Sequence, residues 1–342
     1  MPRTAANSRP KHEVEIGLPW EVWPQATLRA FRRRLLDWYD CNRRDLPWRG
    51  SQVPYRIWIS EVMLQQTRVA AVMDYYQRFL ERFPDVAKLA AAQPETVLAA
   101  WSGLGYYRRA RALHQAAKLM VEKHGGELPR RAAELLHLPG FGPYTAAAVA
   151  SIAFGEPIAV VDGNVERVLV RLFAWRQLKR NAAWEAAQRL LAPGRPGDFN
   201  QAMMELGATV CLPAQAQCAA CPLFRWCRTR GLGPAKEKER RRRRQLHYRL
   251  ARRGEAIFLV QRARDSSLMP GMWELPEVPV NGVRPEVTLR LRHSITVTDF
   301  RIEVSTGEPP AGIRGRWVSQ AQVEELPLTG LTKKILRRGN FI

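Results

Sequence analysis

The sequence lacks a long apolar run, and it has only five cysteines in 342 residues. No stretch approaches the roughly 20 apolar residues that a membrane-spanning helix requires, so we expect no membrane partner. The first 20 residues mix Pro, Lys, Glu and Arg without an apolar segment, which predicts no secretory signal. Four cysteines fall within 17 residues, unlike the disulfide framework of a secreted protein. We therefore expect a reducing, cytoplasmic location.

Acidic residues are also scarce relative to basic ones. The chain has 54 Lys and Arg against 32 Asp and Glu, a net charge of +22, and this excess favours a polyanionic partner. Residues 228–253 alone hold twelve Lys or Arg against two Glu. Because like charges repel, this block predicts an extended linker, which we place at residues 231–246. A ribosome-associated or membrane-surface protein would have the same charge.

The patterning of apolar residues divides the rest of the chain into a tail and two domains. Residues 1–24 are polar and contain proline, which predicts a poorly ordered tail. Apolar residues then recur at helical spacing, with Gly and Pro between segments, so residues 25–230 are predicted to form a mainly α domain of about ten helices. The segments EAIFLVQRA, TVTDFRIEVS and IRGRWVS have the composition of strands. Residues 247–342 should therefore form a small α+β domain.

The segment LPGFGPYTAAAVA combines a glycine-rich turn with a helix start. Gly140 and Gly142 allow backbone dihedrals that a side chain would resist, and the first helical turn presents unpaired N–H groups. Such a turn favours a phosphate ligand, although Gly-x-Gly also occurs in ordinary helix connections. Asp162 follows an apolar segment, where a buried charge is costly unless it is paired or used. It could equally be a helix N-cap.

The four clustered cysteines have the spacing Cys211-x6-Cys218-x2-Cys221-x5-Cys227. Four thiolates in one short loop can enclose a metal centre. Structural zinc sites more often use two Cys-x-x-Cys pairs, whereas this loop has one pair with longer arms. An iron–sulfur cluster and zinc are both compatible with the spacing, and Cys41 is predicted to be an inert thiol.

Six segments together resemble a known family. In chain order they are EVMLQQT, GLGYYRRAR, LPGFGPYTA, VVDGNVERVL, NQAMMELGA and the cysteine loop. Over residues 25–230 they closely resemble the MutY-type adenine DNA glycosylases, which belong to the helix-hairpin-helix superfamily shared with endonuclease III. The resemblance implies a helix-hairpin-helix glycosylase domain in which the loop at residues 211–227 holds one 4Fe-4S cluster.

The resemblance also implies four catalytic residues. Glu61 would protonate N7 of a flipped adenine, and Asp162 would stay ionised and oppose the positive sugar. Tyr144 and Asn164 would orient these two carboxyl groups. Tyr144 stands where lyase-competent relatives have a lysine that forms a Schiff base. A monofunctional enzyme is therefore expected. From the residues alone, Glu61 could instead be a surface residue of an amphipathic helix.

Further residues are implied in DNA contact. A base inside a duplex must be flipped out before it can react, and side chains must fill the gap. By resemblance, Gln66 and Tyr106 would insert beside the lesion partner, although ordinary helix-end packing is the alternative for Tyr106. The hairpin glycines would grip the backbone beside the flipped base. The implied adenine pocket consists of Trp48, Arg49 and Glu205.

Residues 247–342 resemble the Nudix-like domain that recognises 8-oxoguanine in this family, most clearly in MPGMWELPE. No REx2E segment is present to bind Mg²⁺, so nucleotide hydrolysis is not expected. Family members commonly carry Phe-Ser-His in the lesion-reading loop, and Ile295, Thr296 and Val297 stand there in this chain. Thr296 keeps a hydroxyl and is the expected lesion-recognition residue. Weaker discrimination of 8-oxoguanine over guanine is therefore predicted, unless the nearby His293 compensates.

The expected protein is thus a monomeric, nucleoid-associated bacterial enzyme that acts on double-stranded DNA containing adenine mispairs. Two alternatives stay open at this point. A glycosylase for thymine or uracil opposite guanine could use the same scaffold, but a pyrimidine offers no N7 for Glu61 to protonate. A non-catalytic DNA-binding protein would leave both carboxyl groups without a purpose.

Overall fold

The computed structural model describes residues 23–175, 180–230 and 242–342, except for 264, 267–268, 280–285 and 296–297. The chain forms two compact units: the first is Met1–Arg43 with Pro157–Pro234, and the second is Arg44–Glu156 with Ala235–Ile342. The helical region expected at residues 25–230 therefore contributes to both units. Most of the predicted tail and of the predicted linker lies outside the described residues.

Helices make up the described chain up to the cysteine loop, as the sequence predicts. They are α1 (Gln25–Asn42), α2 (Pro54–Leu64), α3 (Val69–Arg82), α4 (Val86–Ala91), α5 (Pro94–Trp101), α6 (Arg108–His124), α7 (Ala132–Leu135), α8 (Pro143–Phe154), α9 (Gly163–Phe173), α10 (Arg180–Leu190) and α11 (Pro196–Thr209). Two short 3-10 turns follow, at Cys218–Ala220 and Phe224–Trp226.

The first unit is held by an apolar core between α1 and α9 to α11. Helix α1 buries Leu28, Phe31, Leu35 and Tyr39, which recur every three or four residues and so lie on one face. These side chains pack with buried residues of the other three helices and with Leu223 of the cysteine loop. The second unit contains α2 to α8 together with the sheet-containing C-terminal region.

The C-terminal region contains seven strands and two helices within its described residues. They are β1 (Arg242–Leu250), β2 (Arg252–Arg253), β3 (Ala256–Gln261), β4 (Trp273–Glu274), β5 (Leu289–Ile295), β6 (Thr298–Thr306), β7 (Arg316–Ser319), α12 (Gln320–Glu325) and α13 (Gly330–Arg338). Strand β6 lies between β1, which is parallel to it, and β5, which is antiparallel. Strand β3 pairs with β2, β4 and β7. The α+β prediction for this region is confirmed.

The linker boundary differs from the prediction. Residues 242–246, assigned to the linker by their charge, form the first half of β1, where Arg242 pairs with Thr298 of β6. Strand β1 lies at the edge of its sheet, and its first four residues are exposed. The arginine side chains stay charged in solvent while their backbone pairs with β6. A run of charged residues can therefore form a strand, although its charge predicted a linker.

The C-terminal region contacts α5 and the start of α6 through the carbonyl of Leu328. This oxygen accepts hydrogen bonds from Ser102 Oγ at 2.8 Å and from the Tyr107 hydroxyl at 3.0 Å. Lys333 Nζ of α13 donates in return to the Ser102 carbonyl at 3.1 Å. The region is therefore tied to the turn at residues 102–107. Among the helices in the described ranges, none has the length and apolar character to span a bilayer.

Candidate catalytic and DNA-binding site

Glu61 is a buried carboxyl group on α2. Its side chain is 6% exposed, and most of α2 is buried around it because the helix is apolar on several sides. The Tyr144 hydroxyl, from the first turn of α8, donates a 2.7 Å hydrogen bond to Glu61 Oε2. The surface-residue alternative for Glu61 is therefore wrong. Burial disfavours the charged form of a carboxyl group, and Tyr144 fixes the orientation of this one.

The turn before α8 brings its backbone close to α6. Gly140 has φ +81°, and a Cβ there would lie 2.8 Å from Ala112 Cβ. Both the dihedral and the space require glycine, as predicted. The same prediction is wrong for Gly142, because its φ of −84° suits any residue and nothing lies near a Cβ there. Gly142 is the N-cap of α8, and a Cβ at this position would meet open space. The role of Gly142 in DNA contact stays a prediction.

Two contacts hold this turn against α2. The rings of Trp58 and Phe141 are stacked, with centroids 5.5 Å apart and planes 20° apart. Gln65 Nε2, just after α2, donates to Thr145 Oγ1 at 2.8 Å. The glycine-rich turn, the carboxyl of Glu61 and the hydroxyl of Tyr144 are thus parts of one packed assembly.

Asp162 is the N-cap of α9 in the first unit. Its Oδ1 accepts from the backbone N–H of Asn164 at 2.9 Å and of Val165 at 2.7 Å, and its Oδ2 accepts from Asn164 Nδ2 at 2.9 Å. Burial raises the pKa of Asp162, and the N–H donors of Val165 and Asn164 oppose that rise. The N-cap alternative is correct as structure. The same hydrogen bonds hold the Asp162 carboxylate in one orientation. Each of them also favours the ionised form of the group.

Arg167 supports this cap and was not found from the sequence. Its Nη2 donates to Asn164 Oδ1 at 2.8 Å and to the Gly207 carbonyl at 2.6 Å, and its Nε donates to the Cys211 carbonyl at 2.8 Å. The guanidinium therefore joins the start of α9 to the end of α11 and to the cysteine loop. The acceptors are mainly backbone carbonyls, which leave no sequence signal.

Replacing Gly207 with Ala is expected to disturb the Asp162 cap. A Cβ there would lie 2.6 Å from Asn164 Cβ and 3.0 Å from the Asn164 carbonyl oxygen, and such overpacking costs about 1–3 kcal/mol. Thermal unfolding should therefore show a lower midpoint. The matched control is Gly194→Ala, where a Cβ meets nothing within 4 Å. Equal midpoints for the two variants would contradict this account of the packing.

Gln66 and Tyr106 are both presented to solvent from tight turns. Gln66 lies in the turn between α2 and α3 with φ +55°, and Tyr106 lies between α5 and α6 with φ +50°. A positive φ is uncommon for such residues and typically occurs at functional sites. The Tyr106 side chain is 44% exposed, whereas Tyr107 is buried. Ordinary helix-end packing therefore describes Tyr107, whereas Tyr106 keeps nearly half of its side chain exposed.

Of the three residues assigned to an adenine pocket, Trp48 and Arg49 lie in the turn before α2, and Glu205 lies in α11. Trp48 is buried, with its ring 5.4 Å from the ring of Tyr76 in an edge-to-face arrangement. Arg49 donates to the carbonyl of Arg44 at 3.1 Å, and Glu205 is buried in α11. Their assignment to an adenine pocket stays a prediction.

The four clustered cysteines line one small apolar cavity. None of the four is in a disulfide, and all are partly buried. Within the described ranges no three His, Cys, Asp or Glu are arranged to hold a single metal ion. Arg171 Nη1 lies 3.3 Å from Cys211 Sγ, where it can donate to a thiolate. Four cysteines at one cavity are a ligand set that both an iron–sulfur cluster and a zinc ion can use.

The residues predicted to read the lesion, Ile295, Thr296 and Val297, come at the end of β5 and before β6 in the chain. Thr296 and Val297 lie outside the described residues, and the flanking Ile295 pairs with Thr298. His293 lies three residues before Thr296 in the chain and pairs with Phe300 of β6. Burial, and after it the charge of Lys334, lowers the pKa of His293. Recognition by Thr296 stays a prediction.

Comparison with known proteins places this geometry among DNA repair enzymes. The profile of the HhH-GPD superfamily base excision DNA repair proteins matches residues 59–193. The adenine DNA glycosylase of Mus musculus is 50% identical over 217 residues, which are 59% of this chain and 42% of that protein. The adenine DNA glycosylase of Arabidopsis thaliana is 36% identical over 335 residues, or 83% of this chain and 53% of that protein. The chain thus spans about half the length of the curated relatives it matches.

A solved structure matches the helical region. A thermostable thymine-DNA glycosylase superimposes with a TM-score of 0.55 at 32% identity, covering 59% of this chain and 95% of the other. The expected helical fold is confirmed by this match, together with the separate sheet-containing region. The names of these relatives include adenine and thymine glycosylases, so the likeness alone does not identify the reacting base.

Proposed function

We propose that this chain is a monofunctional DNA glycosylase. It belongs to the HhH-GPD superfamily of base excision DNA repair proteins, which supports the proposal. It excises adenine mispaired with 8-oxoguanine or guanine in double-stranded DNA and acts as a monomer. The observation that carries the proposal is the buried carboxyl of Glu61 with the Tyr144 hydroxyl 2.7 Å from it. A carboxyl group in an apolar helix environment is suited to stay protonated and to deliver its proton to a base.

Glu61 acts as the general acid. Protonation of N7 makes adenine a better leaving group. General acid catalysis of this kind typically contributes about 10²–10⁴-fold to a rate. Tyr144 holds the Glu61 carboxyl in one orientation. Because Glu61 is buried among apolar side chains, the adenine must be flipped out of the duplex to reach it.

Asp162 opposes the positive charge that develops on the sugar, through its field or through a transient covalent bond to the sugar. Its three N–H donors favour the carboxylate over the carboxylic acid. The proposal gives Asn164 the task of orienting this carboxylate. A water molecule then completes the hydrolysis and leaves an abasic site.

The strand is not cut in this reaction. Schiff-base chemistry at the sugar requires an amine, and the first turn of α8 offers the hydroxyl of Tyr144 at the position where lyase-competent relatives carry a lysine. Strand breaks should therefore appear only after treatment with heat or alkali.

The proposed cofactor is one 4Fe-4S cluster bound by Cys211, Cys218, Cys221 and Cys227. It would close the loop at residues 211–227, and the four cysteines that line one apolar cavity there support it. Arg171 complements a thiolate at Cys211, and Arg167 fastens the carbonyl of the same residue. The loop is thereby connected to α9, whose N-cap is Asp162.

Replacing Cys218 with Ser should remove the cluster. The purified wild-type protein is expected to contain about four iron atoms per chain and to show the visible absorption of an iron–sulfur chromophore, and the variant should lose most of both. Cys41→Ser is the matched control, since Cys41 is exposed on α1 and away from the loop. Zinc in place of iron, in protein purified without oxygen, would contradict the proposal.

The C-terminal region is proposed to read the base opposite the adenine. Since Ile295, Thr296 and Val297 replace Phe-Ser-His, the preference for 8-oxoguanine over guanine should be weak. Single-turnover rates on the two mispairs measure this preference directly. A large preference for 8-oxoguanine would overturn this part of the proposal.

Thymine excision is the second candidate, and the likeness to a thymine-DNA glycosylase favours it. Glu61 argues against it, because a pyrimidine has no N7 to protonate. The test is base release from a panel of duplexes with A, T or U opposite G, C or 8-oxoguanine, followed by treatment with and without alkali. We expect release of adenine and alkali-dependent strand breaks. Release of thymine or uracil alone would support the second candidate.

A further inference from the structure

Two exposed side chains with left-handed backbone conformations are held by one arginine. Gln66 and Tyr106 lie in separate turns, at residues 65–68 and 102–107, and a positive φ at a non-glycine residue persists only where its surroundings hold it. Something must therefore fix both turns. Arg109, in the first turn of α6, contacts each of them.

Arg109 donates five hydrogen bonds. Its Nη1 lies 2.8 Å from the carbonyl oxygen of Val62, 3.0 Å from that of Met63 and 2.5 Å from that of Gln65. Its Nη2 lies 3.1 Å from Thr67 Oγ1 and 3.2 Å from the Gly105 carbonyl oxygen. Four acceptors thus belong to the end of α2 and the turn around Gln66, and one belongs to the turn around Tyr106.

The same guanidinium also packs against aromatic rings. Its carbon lies 5.4 Å from the ring centroid of Trp101 and 5.2 Å from that of Tyr106. Burial lowers the pKa of Arg109 to about 10, so the group stays charged at neutral pH. A planar fork that donates several bonds while stacking on a ring is a property of arginine that lysine does not share.

We propose that Arg109 is a positioning residue for base extrusion: it locks the turns of Gln66 and Tyr106 together so that both side chains enter the duplex as one rigid wedge. This inference rests on the proposed function. Arg109 touches carbonyls of its own chain, so it acts through Gln66 and Tyr106. It also contacts α2 at Val62, the residue after Glu61, which couples the wedge to the helix that carries the proposed acid.

The test compares two substrates. With adenine opposite guanine the base must be unstacked and unpaired, whereas adenine opposite an abasic-site analogue has no pairing partner to leave, so extrusion costs less. Arg109→Met should lose about 100-fold in single-turnover excision from the first duplex, the loss that a misplacement of about 1 Å typically causes. It should lose only a few-fold from the second. Equal losses on both substrates would overturn the proposal.

Two further variants separate positioning from charge and from stability. Arg109→Lys keeps the charge without the fork and should behave like Arg109→Met, whereas rescue by lysine would show that charge alone matters. Arg82→Met, at the exposed end of α3, removes one charge elsewhere in the same unit and should change neither rate. In a chain that already carries Gln66→Ala and Tyr106→Ala, adding Arg109→Met should cost little further. An undiminished further loss in that background would contradict the coupling.

A fluorescence measurement distinguishes failure of this inference from failure of the proposed function. 2-Aminopurine placed opposite guanine becomes brighter when it is unstacked, whether or not it is excised. Wild-type protein should raise the signal on binding, and Arg109→Met should not, at protein concentrations that saturate the duplex. If the wild-type protein raises the signal but releases no adenine, the proposed function fails and the inference stands. An equal rise with both proteins overturns the inference alone.

Discussion

Replacing Glu61 with Gln is expected to reduce single-turnover release of adenine from a guanine mispair by about 10²–10⁴-fold, the range of general acid catalysis. Glutamine has nearly the same shape and can still accept a hydrogen bond from Tyr144, but it carries no acidic proton. The buried surroundings of Glu61 should therefore remain packed. Binding of the same duplex, followed by fluorescence anisotropy, should change little.

The control for Glu61 is Glu81→Gln, an exposed position on α3 of the same unit. It makes the same chemical change without altering a buried group and should keep the wild-type rate. A Glu61→Gln variant that excises adenine at the wild-type rate would mean that Glu61 serves packing alone. A non-catalytic DNA-binding protein would release no adenine, and Glu61→Gln would leave its DNA binding unaltered.

Replacing Asp162 with Asn is expected to reduce the same rate by about 10²–10³-fold, the usual loss when a group that stabilises transition-state charge is removed. Asparagine is as good an N-cap as aspartate, so α9 should keep its start. The variant removes the negative charge that opposes the sugar cation. The melting temperature should thus fall far less than the rate, and both can be measured on one preparation.

Asp85→Asn is the matched control, because Asp85 caps α4 by accepting from the backbone N–H of Lys88 at 2.7 Å. It should leave the rate unchanged. The pH profile gives a second check. Burial raises the pKa of Asp162, and the ionised form is the active one, so the wild-type rate should fall with decreasing pH at values above the ordinary aspartate pKa of about 3.9. A profile of Asp162→Asn with the same acid limb would contradict this assignment.

Local patterns in the sequence predicted part of the geometry that the structure shows. The cysteine spacing predicted a shared centre because the four residues are close in the chain, and the structure brings them around one cavity. Gly140 was predictable because a tight turn needs its dihedral. The pairing of Tyr144 with Glu61 and of Asn164 with Asp162 agrees with the roles that the family resemblance implied.

Other features depend on contacts that leave no local pattern. Arg109 and Arg167 each donate mainly to backbone carbonyls, and a carbonyl is the same in every residue. Their neighbours Arg108 and Glu166 would have been equally good candidates from the sequence. The prediction failed at Gly142 because the Gly-x-Gly pattern suggested a special dihedral at both glycines, whereas the chain is extended at the second. It failed at Arg242 because exposed strand residues can be charged without affecting backbone pairing.

We propose that Glu61 makes this chain an adenine glycosylase. One duplex that carries a guanine–adenine and a guanine–thymine mispair tests it most directly, since both bases compete for the same protein. The base released in a single turnover should be identified by mass spectrometry for the wild-type chain and for Glu61→Gln. We expect adenine from the wild type, no thymine, and almost no base from the variant. Release of thymine, or release of adenine undiminished by Glu61→Gln, would contradict the account.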